Sequence, residues 1–202
     1  MIILGLDTTG PNCSAALVDT AKVLAYKSEN IGRGHAERLA PMVQEVLEQA
    51  GLKAKDVDKI VVCTGPGSFT GLRVALAFAK GFALPRKLPV VGIDALAVNY
   101  CVHEPEGDAY AVVFRDIRRN EIMFGTYSGT TALFAYHPRV GSIEDVEVEA
   151  NFLQSDIFEA KDVDTRILAW LGADLSPADY PAAPLYSRGP DAKLPGGLDP
   201  SK

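Results

Sequence analysis

The chain has 202 residues, with 20 Lys and Arg against 26 Asp and Glu, which gives a formal charge of −6. Apolar residues make up 48% and charged residues 23% of the chain, and the mean hydropathy is +0.07. This composition excludes a disordered chain and predicts one large globular domain or two small ones. Since no apolar run is long enough for a membrane helix and no basic signal segment opens the chain, we expect a cytoplasmic protein without membrane contact.

The cysteines and histidines do not indicate a metal centre, and the charge does not indicate nucleic-acid binding. Cys13, Cys63 and Cys101 are far apart without CxxC spacing, which predicts reduced, buried thiols. The three histidines lie in separate segments without metal-ligand spacing, so we predict no metal site. A pI near 5.1, with no basic run longer than Arg118-Arg119, predicts that the chain does not bind a nucleic-acid backbone directly.

The first half of the chain alternates short apolar strands with two helices. The pattern predicts strands at 2–6, 14–18, 23–26, 59–64 and 89–93, and helices at 35–50 and 69–84. Pro41 predicts either a kink in the first helix or a regular helix that starts near residue 38. Strands separated by helices with short connections indicate βαβ crossovers, so we expect a partly parallel sheet.

The second half begins like the first. Strands are predicted at 109–114, 121–127 and 131–136, and this second meander opens with a strand that leads to Asp116, as the first strand leads to Asp7. The repetition predicts a duplicated α/β architecture, with one lobe at 1–102 and a smaller lobe at 103–202. After residue 141 the periodicity weakens, and we predict a helix at 162–173 followed by a Pro- and Gly-rich tail that packs back on the first lobe.

Two turns rich in glycine and hydroxyl groups follow buried strands and are candidate phosphate-binding loops. The candidate residues are Asp7, Thr8, Thr9 and Gly10 in the first turn and Gly65, Gly67, Ser68, Thr70 and Gly71 in the second. Backbone amides at a helix N-terminus favour an anion, although no Walker A lysine follows. A hairpin turn and a sharp strand-to-helix turn capped by Ser68 explain the same residues, and on the residues alone this is the preferred interpretation.

The helix predicted at 69–84 indicates a subunit interface. It carries only two charges, and a helix that is apolar on nearly every side is buried on nearly every side. We therefore predict that this helix and the helix at 35–50 meet another subunit, the alternative being a central helix covered by its own neighbours. The predicted interface residues are His35, Leu39, Met42, Val43, Val46, Leu72, Arg73, Ala75, Leu76, Ala79 and Lys80.

Six segments of the chain carry a resemblance to a known family. They are LGLDTTGPNCSAAL (4–17), GHAERLAPMVQEVLEQAGL (34–52), CTGPGSFTGLRVALAFAKGFA (63–83), GIDALA (92–97), DIRRNE (116–121) and PLYSRGPDAK (184–193). With these segments the chain resembles the TsaB (YeaZ) family of bacterial tRNA threonylcarbamoyladenosine biosynthesis, a glycoprotease-like relative of TsaD. The most specific of them is GPGSFTGLR.

The resemblance implies an actin-like (ASKHA, RNase H-like) fold of two related lobes. It implies a non-catalytic partner and activator of TsaD that pairs through the first-lobe helices, with TsaE as an ATP-hydrolysing third subunit and a homodimer when isolated. No cofactor is required, although the resemblance allows a nucleotide at the subunit junction. The two-histidine metal motif of TsaD has no counterpart in 93–100, so we expect no catalytic residue. The alternatives are an actin-like ATPase or kinase that uses the two loops, and a metal-independent glycoprotease-type peptidase.

Overall fold

The computed structural model describes residues 1–103, 109–118, 121–129 and 133–186. Its strands are β1 (Ile3–Asp7), β2 (Asn12–Val18), β3 (Val23–Asn30), β4 (Lys59–Cys63), β5 (Val90–Ile93), β6 (Ala111–Arg118), β7 (Glu121–Ser128), β8 (Leu133–Gly141) and β9 (Asp156–Glu159). Its helices are α1 (His35–Gln49), α2 (Phe69–Ala83), α3 (Ala95–Val102), α4 (Ile143–Leu153) and α5 (Thr165–Leu171). Parts of the predicted DIRRNE turn, of the strand at 131–136 and of the C-terminal motif lie outside the described residues.

The first sheet has the strand order β3-β2-β1-β4-β5. Its first three strands form an antiparallel meander, whereas β4 and β5 run parallel to β1. The apolar run of β1 is buried along its whole length, as expected for a central strand that is covered on both faces. The predicted partly parallel sheet is therefore confirmed.

The second sheet repeats this plan over fewer strands. Its order is β8-β7-β6-β9, with an antiparallel meander and with β9 parallel to β6. Helix α4 connects the meander to β9, just as α1 connects the first meander to β4. The predicted α/β fold of actin-like type is confirmed, and each lobe opens with a three-stranded meander.

Four elements differ from the sequence prediction. Helix α1 begins at His35 and runs through Pro41, so a start near residue 38 is wrong. Helix α3 was not predicted because most of it is buried, which leaves no polar face and hence no helical period. Helix α4 and strand β9 were not predicted because exposed apolar residues break their pattern. The Ser142–Asp145 capping box was the available signal for α4.

Helices cover both faces of the first sheet. The apolar faces of α1 and α2 form one core with β1 and β4, while α5 packs on the opposite face. Lys59 of β4 is buried, and its ammonium donates to the carbonyl oxygen of Gly172, the C-cap of α5, at 3.2 Å. It also donates to the carbonyl oxygens of Ala173 and, at 3.1 Å, of Leu175, both of which follow the helix. A positive charge at a helix C-terminus stabilises the helix. Because Lys59 belongs to the first sheet, its hydrogen bonds also hold the segment after α5 on that sheet.

The segment after α5 runs beside the first sheet. Pro181 forms a bridge with Val91 of β5, and the Leu185 amide donates to the Thr64 carbonyl at 2.8 Å. The lobe boundary at 102/103 stays a prediction, since residues 104–108 lie outside the described ranges. No helix in those ranges combines the length and the apolar character that crossing a membrane requires.

Candidate functional site

The two candidate phosphate loops lie directly against each other at the carboxyl edge of the first sheet. The Thr8 hydroxyl donates to the Gly71 carbonyl at 2.6 Å, and the Ser68 amide donates to the Thr9 carbonyl at 2.7 Å. A Cβ on Gly71 would lie 1.9 Å from the Thr8 carbonyl oxygen, and one on Gly67 would lie 2.4 Å from that of Thr9. Both glycines are therefore required by the close approach of the two loops.

The contact between the two loops occupies backbone and hydroxyl groups that a bound phosphate would otherwise contact. Asp7, Thr8, Thr9, Gly65 and Gly71 are buried, Gly10 is half-buried, and Gly67, Ser68 and Thr70 are exposed. Ser68 caps α2, because its hydroxyl accepts from the Gly71 amide at 3.3 Å. The loops thus fit the structural interpretation that the residues alone favoured. Phosphate binding by them stays a prediction.

Asp7 lies at the junction between the first sheet and the second. Its Oδ1 accepts from the Thr9 amide at 3.0 Å, and burial raises the pKa of its carboxyl. Arg115 of β6 reaches across and donates from Nη1 to the Pro66 carbonyl at 3.1 Å. The Arg115 charge lowers the pKa of Asp7 in part, against the effect of burial. Sequence reasoning did not assign Arg115 to this site, although it is adjacent to the Asp116 that marks the repeat.

A second polar contact joins the sheets through α3. Asp94 caps this helix by accepting from the Ala97 amide at 2.9 Å, and it also accepts from the Tyr127 hydroxyl of β7 at 2.7 Å. Asn99 of α3 accepts from the Lys161 amide at 2.9 Å. Burial raises the pKa of the Asp94 carboxyl. These side chains position the lobes against each other, and sequence reasoning assigned a role to none of them.

The described residues contain no group of three or more His, Cys, Asp and Glu side chains that could hold a metal ion. Cys63 is buried beside Thr9, with 3.7 Å between Sγ and Oγ1, and burial raises the pKa of its thiol. A thiol with a raised pKa is a poor nucleophile at neutral pH. The absence of catalytic and metal-binding residues stays a prediction.

The structure corrects the predicted interface residues. Leu39, Met42, Val43, Val46, Leu72, Ala75, Leu76 and Ala79 are buried, and all of them except Leu72 belong to the core between the two helices and their own sheet. These side chains are therefore not on the surface of the chain, whereas pairing through the two helices stays a prediction. Of the predicted set, Arg73 and Lys80 are exposed and His35 is half-buried.

The exposed side of α2 carries other residues. We call this surface the α2 outer face; its members are Phe69, Thr70, Arg73, Ala77, Lys80, Gly81 and Leu84 at the helix end. The Phe69 side chain is 52% exposed and that of Leu84 is 77% exposed. The Arg73 guanidinium lies 3.9 Å from the Phe69 ring centroid, and the Tyr186 ring lies 5.3 Å from it. The C-terminal part of the chain therefore extends this face.

Comparisons with known proteins agree with the fold. The family model described as "TsaD: tRNA N6-adenosine threonylcarbamoyltransferase" matches residues 23–151. The tRNA threonylcarbamoyladenosine biosynthesis protein TsaB of Escherichia coli (strain K12) is 34% identical over 63% of this chain and 55% of its own length. An uncharacterized protein of Mycobacterium tuberculosis (strain ATCC 25618 / H37Rv) is 33% identical over 95% of this chain and 93% of its own. The solved structure of YeaZ from Pseudomonas aeruginosa superposes with a TM-score of 0.76 at 25% identity, covering 92% of this chain and 99% of that one. The chain spans about half the length of the first TsaB relatives that it matches.

Proposed function

The chain belongs to the TsaB (YeaZ) family, and we propose that it acts in tRNA threonylcarbamoyladenosine biosynthesis as a non-catalytic partner and activator of TsaD. The names of its TsaB relatives and the match to the TsaD family model support the pathway. In this proposal TsaD carries the transfer reaction and binds the tRNA. A third, ATP-hydrolysing subunit, TsaE, completes the assembly, and a homodimer replaces the heterodimer when the chain is isolated.

The observation that carries the proposal is the α2 outer face. Phe69 and Leu84 stand exposed at its two ends, and covering a side chain of this size contributes about 1.5–3 kcal/mol. Between them lie the two cations Arg73 and Lys80 and the small residues Ala77 and Gly81, and a Cβ added at Gly81 would meet no atom within 4 Å. The small residues allow a partner helix to approach closely, and the two cations favour an acidic group on that partner. Exposed apolar patches of this kind mark interaction sites.

The relation to TsaD suggests the geometry of the pair. Because this chain matches a TsaD family model, the two proteins share part of a fold. Related folds can pair about a pseudo-twofold axis through the same face of each, as identical subunits do about a true twofold. The same α2 outer face then serves the heterodimer and the homodimer, so the two assemblies exclude each other.

The test is an acidic substitution on the α2 outer face. Ala77 is exposed, so Ala77→Glu leaves the core unchanged and places a charge in the contact. Ala21→Glu is the control, because Ala21 is also exposed and lies away from α2, in the turn beside Asp19, whose carbonyl oxygen accepts from Trp170 of α5. We expect Ala77→Glu to weaken binding to TsaD at least about tenfold in calorimetry and Ala21→Glu to leave it unchanged. TsaD binding that survives Ala77→Glu would contradict the assignment of this face.

Calorimetry with ATP and Mg²⁺ on the isolated chain separates this proposal from an actin-like ATPase or kinase. We expect no turnover, because Thr8 and Gly71 are occupied by the contact between the loops. Tight ATP binding with hydrolysis by the chain alone would contradict a non-catalytic role.

A further inference from the structure

The segment of the chain that forms α4 and β9 is strongly acidic. Residues 141–160 contain six carboxylates and no Lys or Arg; the acidic residues are Glu144, Asp145, Glu147, Glu149, Asp156 and Glu159. The 26 Asp and Glu of the chain less these six leave 20, which equals the 20 Lys and Arg. The net charge of −6 is thus the charge of α4 and β9, and the rest of the chain is neutral overall.

An apolar groove lies in the same region, between α4 and β8. It has a volume of about 490 Å³ and is lined by Phe124, Arg139, Val140, Asp145, Val148, Glu149, Phe152 and Leu153. The Val148 side chain is 70% exposed and that of Phe152 is 83% exposed. A groove of this size accepts one or two large apolar side chains.

The fold does not need these exposed side chains. Val146 and Ala150 on the opposite side of α4 are buried against the second sheet and hold the helix there. Val148 and Phe152 are one turn apart and point away from that core, so they form an apolar stripe that nothing in the described part of the chain covers.

The charges in the groove favour a basic occupant. Arg139 lies over the Phe124 ring, 4.3 Å from its centroid, and pairs with Glu149, so its charge is already neutralised. Asp145 and Glu149 line the groove, and Glu144 and Glu147 are exposed on the same helix, one turn before Val148 and directly before it. We call Glu144 and Glu147 the acidic rim. A nucleic acid would be repelled by this rim, and a second copy of the chain would bring two acidic helices together.

We propose that this groove binds a segment of another protein that carries one or two large apolar side chains flanked by Lys or Arg. The apolar side chains fill the groove beside Val148 and Phe152, and the basic side chains lie against Glu144 and Glu147. The groove is separate in sequence and in fold from the α2 outer face. The proposal therefore does not depend on the pairing with TsaD.

The test uses a fluorescein-labelled peptide of about ten residues in which Lys pairs alternate with Leu-Phe pairs, measured by anisotropy with the full chain. One control peptide has Glu in place of Lys, and a second has Ser in place of Leu and Phe. We expect binding of the Lys peptide alone, and we expect it to weaken when NaCl rises from about 50 to about 300 mM. Equal binding of the Glu peptide would overturn the charge argument.

Variants of the chain locate the site. Phe152→Ser removes an apolar contact, and Glu144→Gln with Glu147→Gln removes the rim charge without changing the core; each should weaken peptide binding about tenfold. Glu48→Gln on α1 is the control and should bind as the parent chain does. Unchanged binding in the α4 variants, or amide NMR shifts on α2 in place of α4 and β8, would overturn the proposal.

Two other occupants are tested in the same series. If the peptide binds a chain shortened to residue 186 but not the full chain, residues 187–202 occupy the groove in the full chain. That result would overturn the proposal. Self-association that Phe152→Ser abolishes in sedimentation experiments would assign it to a second copy, with the same consequence. A result in which TsaD binding is lost with Ala77→Glu but kept with Phe152→Ser separates the two surfaces.

Discussion

Gly71→Ala tests the contact between the two loops most sharply. The new Cβ would lie 1.9 Å from the Thr8 carbonyl oxygen, so the loops must separate by more than 1 Å to restore an ordinary contact. This separation breaks the 2.6 Å hydrogen bond from the Thr8 hydroxyl, at a cost of about 0.5–1.5 kcal/mol. Overpacking costs about 1–3 kcal/mol more, offset by up to about 1 kcal/mol from the higher helix propensity of alanine.

The net expectation is a loss of about 2–3 kcal/mol in the free energy of unfolding. For a chain of this size that loss lowers Tm by roughly 5–10 °C. The matched control is Gly81→Ala on the same helix, where a Cβ meets nothing within 4 Å, so it should raise stability by about 0.5–1 kcal/mol. Urea unfolding followed by far-UV circular dichroism measures both. Equal effects of the two substitutions would refute the assigned role of Gly71.

Three further predictions concern buried polar groups. Lys59→Met removes the ammonium that caps α5 and should lower the free energy of unfolding by about 2–4 kcal/mol in urea, whereas the exposed-site control Lys22→Met should change it little. Burial raises the pKa of Asp7, so as the pH falls the folded chain binds a proton at Asp7 before the unfolded chain does, and the folded chain becomes more stable as the pH falls through that pKa. Asp7→Asn should therefore raise Tm at neutral pH, and the difference in Tm between the variant and the parent chain should become smaller toward acid pH. A Tm difference that is constant or inverted across the pH series would contradict the assignment. Tyr127→Phe removes the 2.7 Å hydrogen bond to Asp94 and should cost about 1.5–3 kcal/mol, which urea unfolding would detect; no loss would show that this bond does not hold the lobes.

The position of α2 was predictable from the sequence, but which of its faces is buried was not. Ser68 marks its start, and the run of apolar and small residues that follows predicts its length. Alanine and glycine occur on both sides of the helix, and Ala79 is buried where Ala77 is exposed, so hydropathy does not separate the two faces. The usable signal was Arg73 and Lys80, two turns apart, which mark the α2 outer face.

The junction between the lobes was largely beyond sequence reasoning. The two glycine-rich loops were predicted as separate features, and only the sheet topology brings Thr8 against Gly71. Arg115 and Tyr127 enter the junction from the second sheet, and their partners Pro66 and Asp94 are 49 and 33 residues away along the chain. Such contacts depend on how the two sheets pack, which local patterns do not encode.

Reconstitution of the tRNA modification tests the central claim most directly. The reaction mixture contains TsaD and TsaE of the same organism, tRNA and a source of the threonylcarbamoyl donor. Four reactions are compared: one without this chain, one with the parent chain, one with Ala77→Glu and one with Ala21→Glu. We expect threonylcarbamoyladenosine to form with the parent chain and with Ala21→Glu, and to fall to the level without added chain with Ala77→Glu. Modification that proceeds undiminished without this chain would contradict its role as the partner of TsaD.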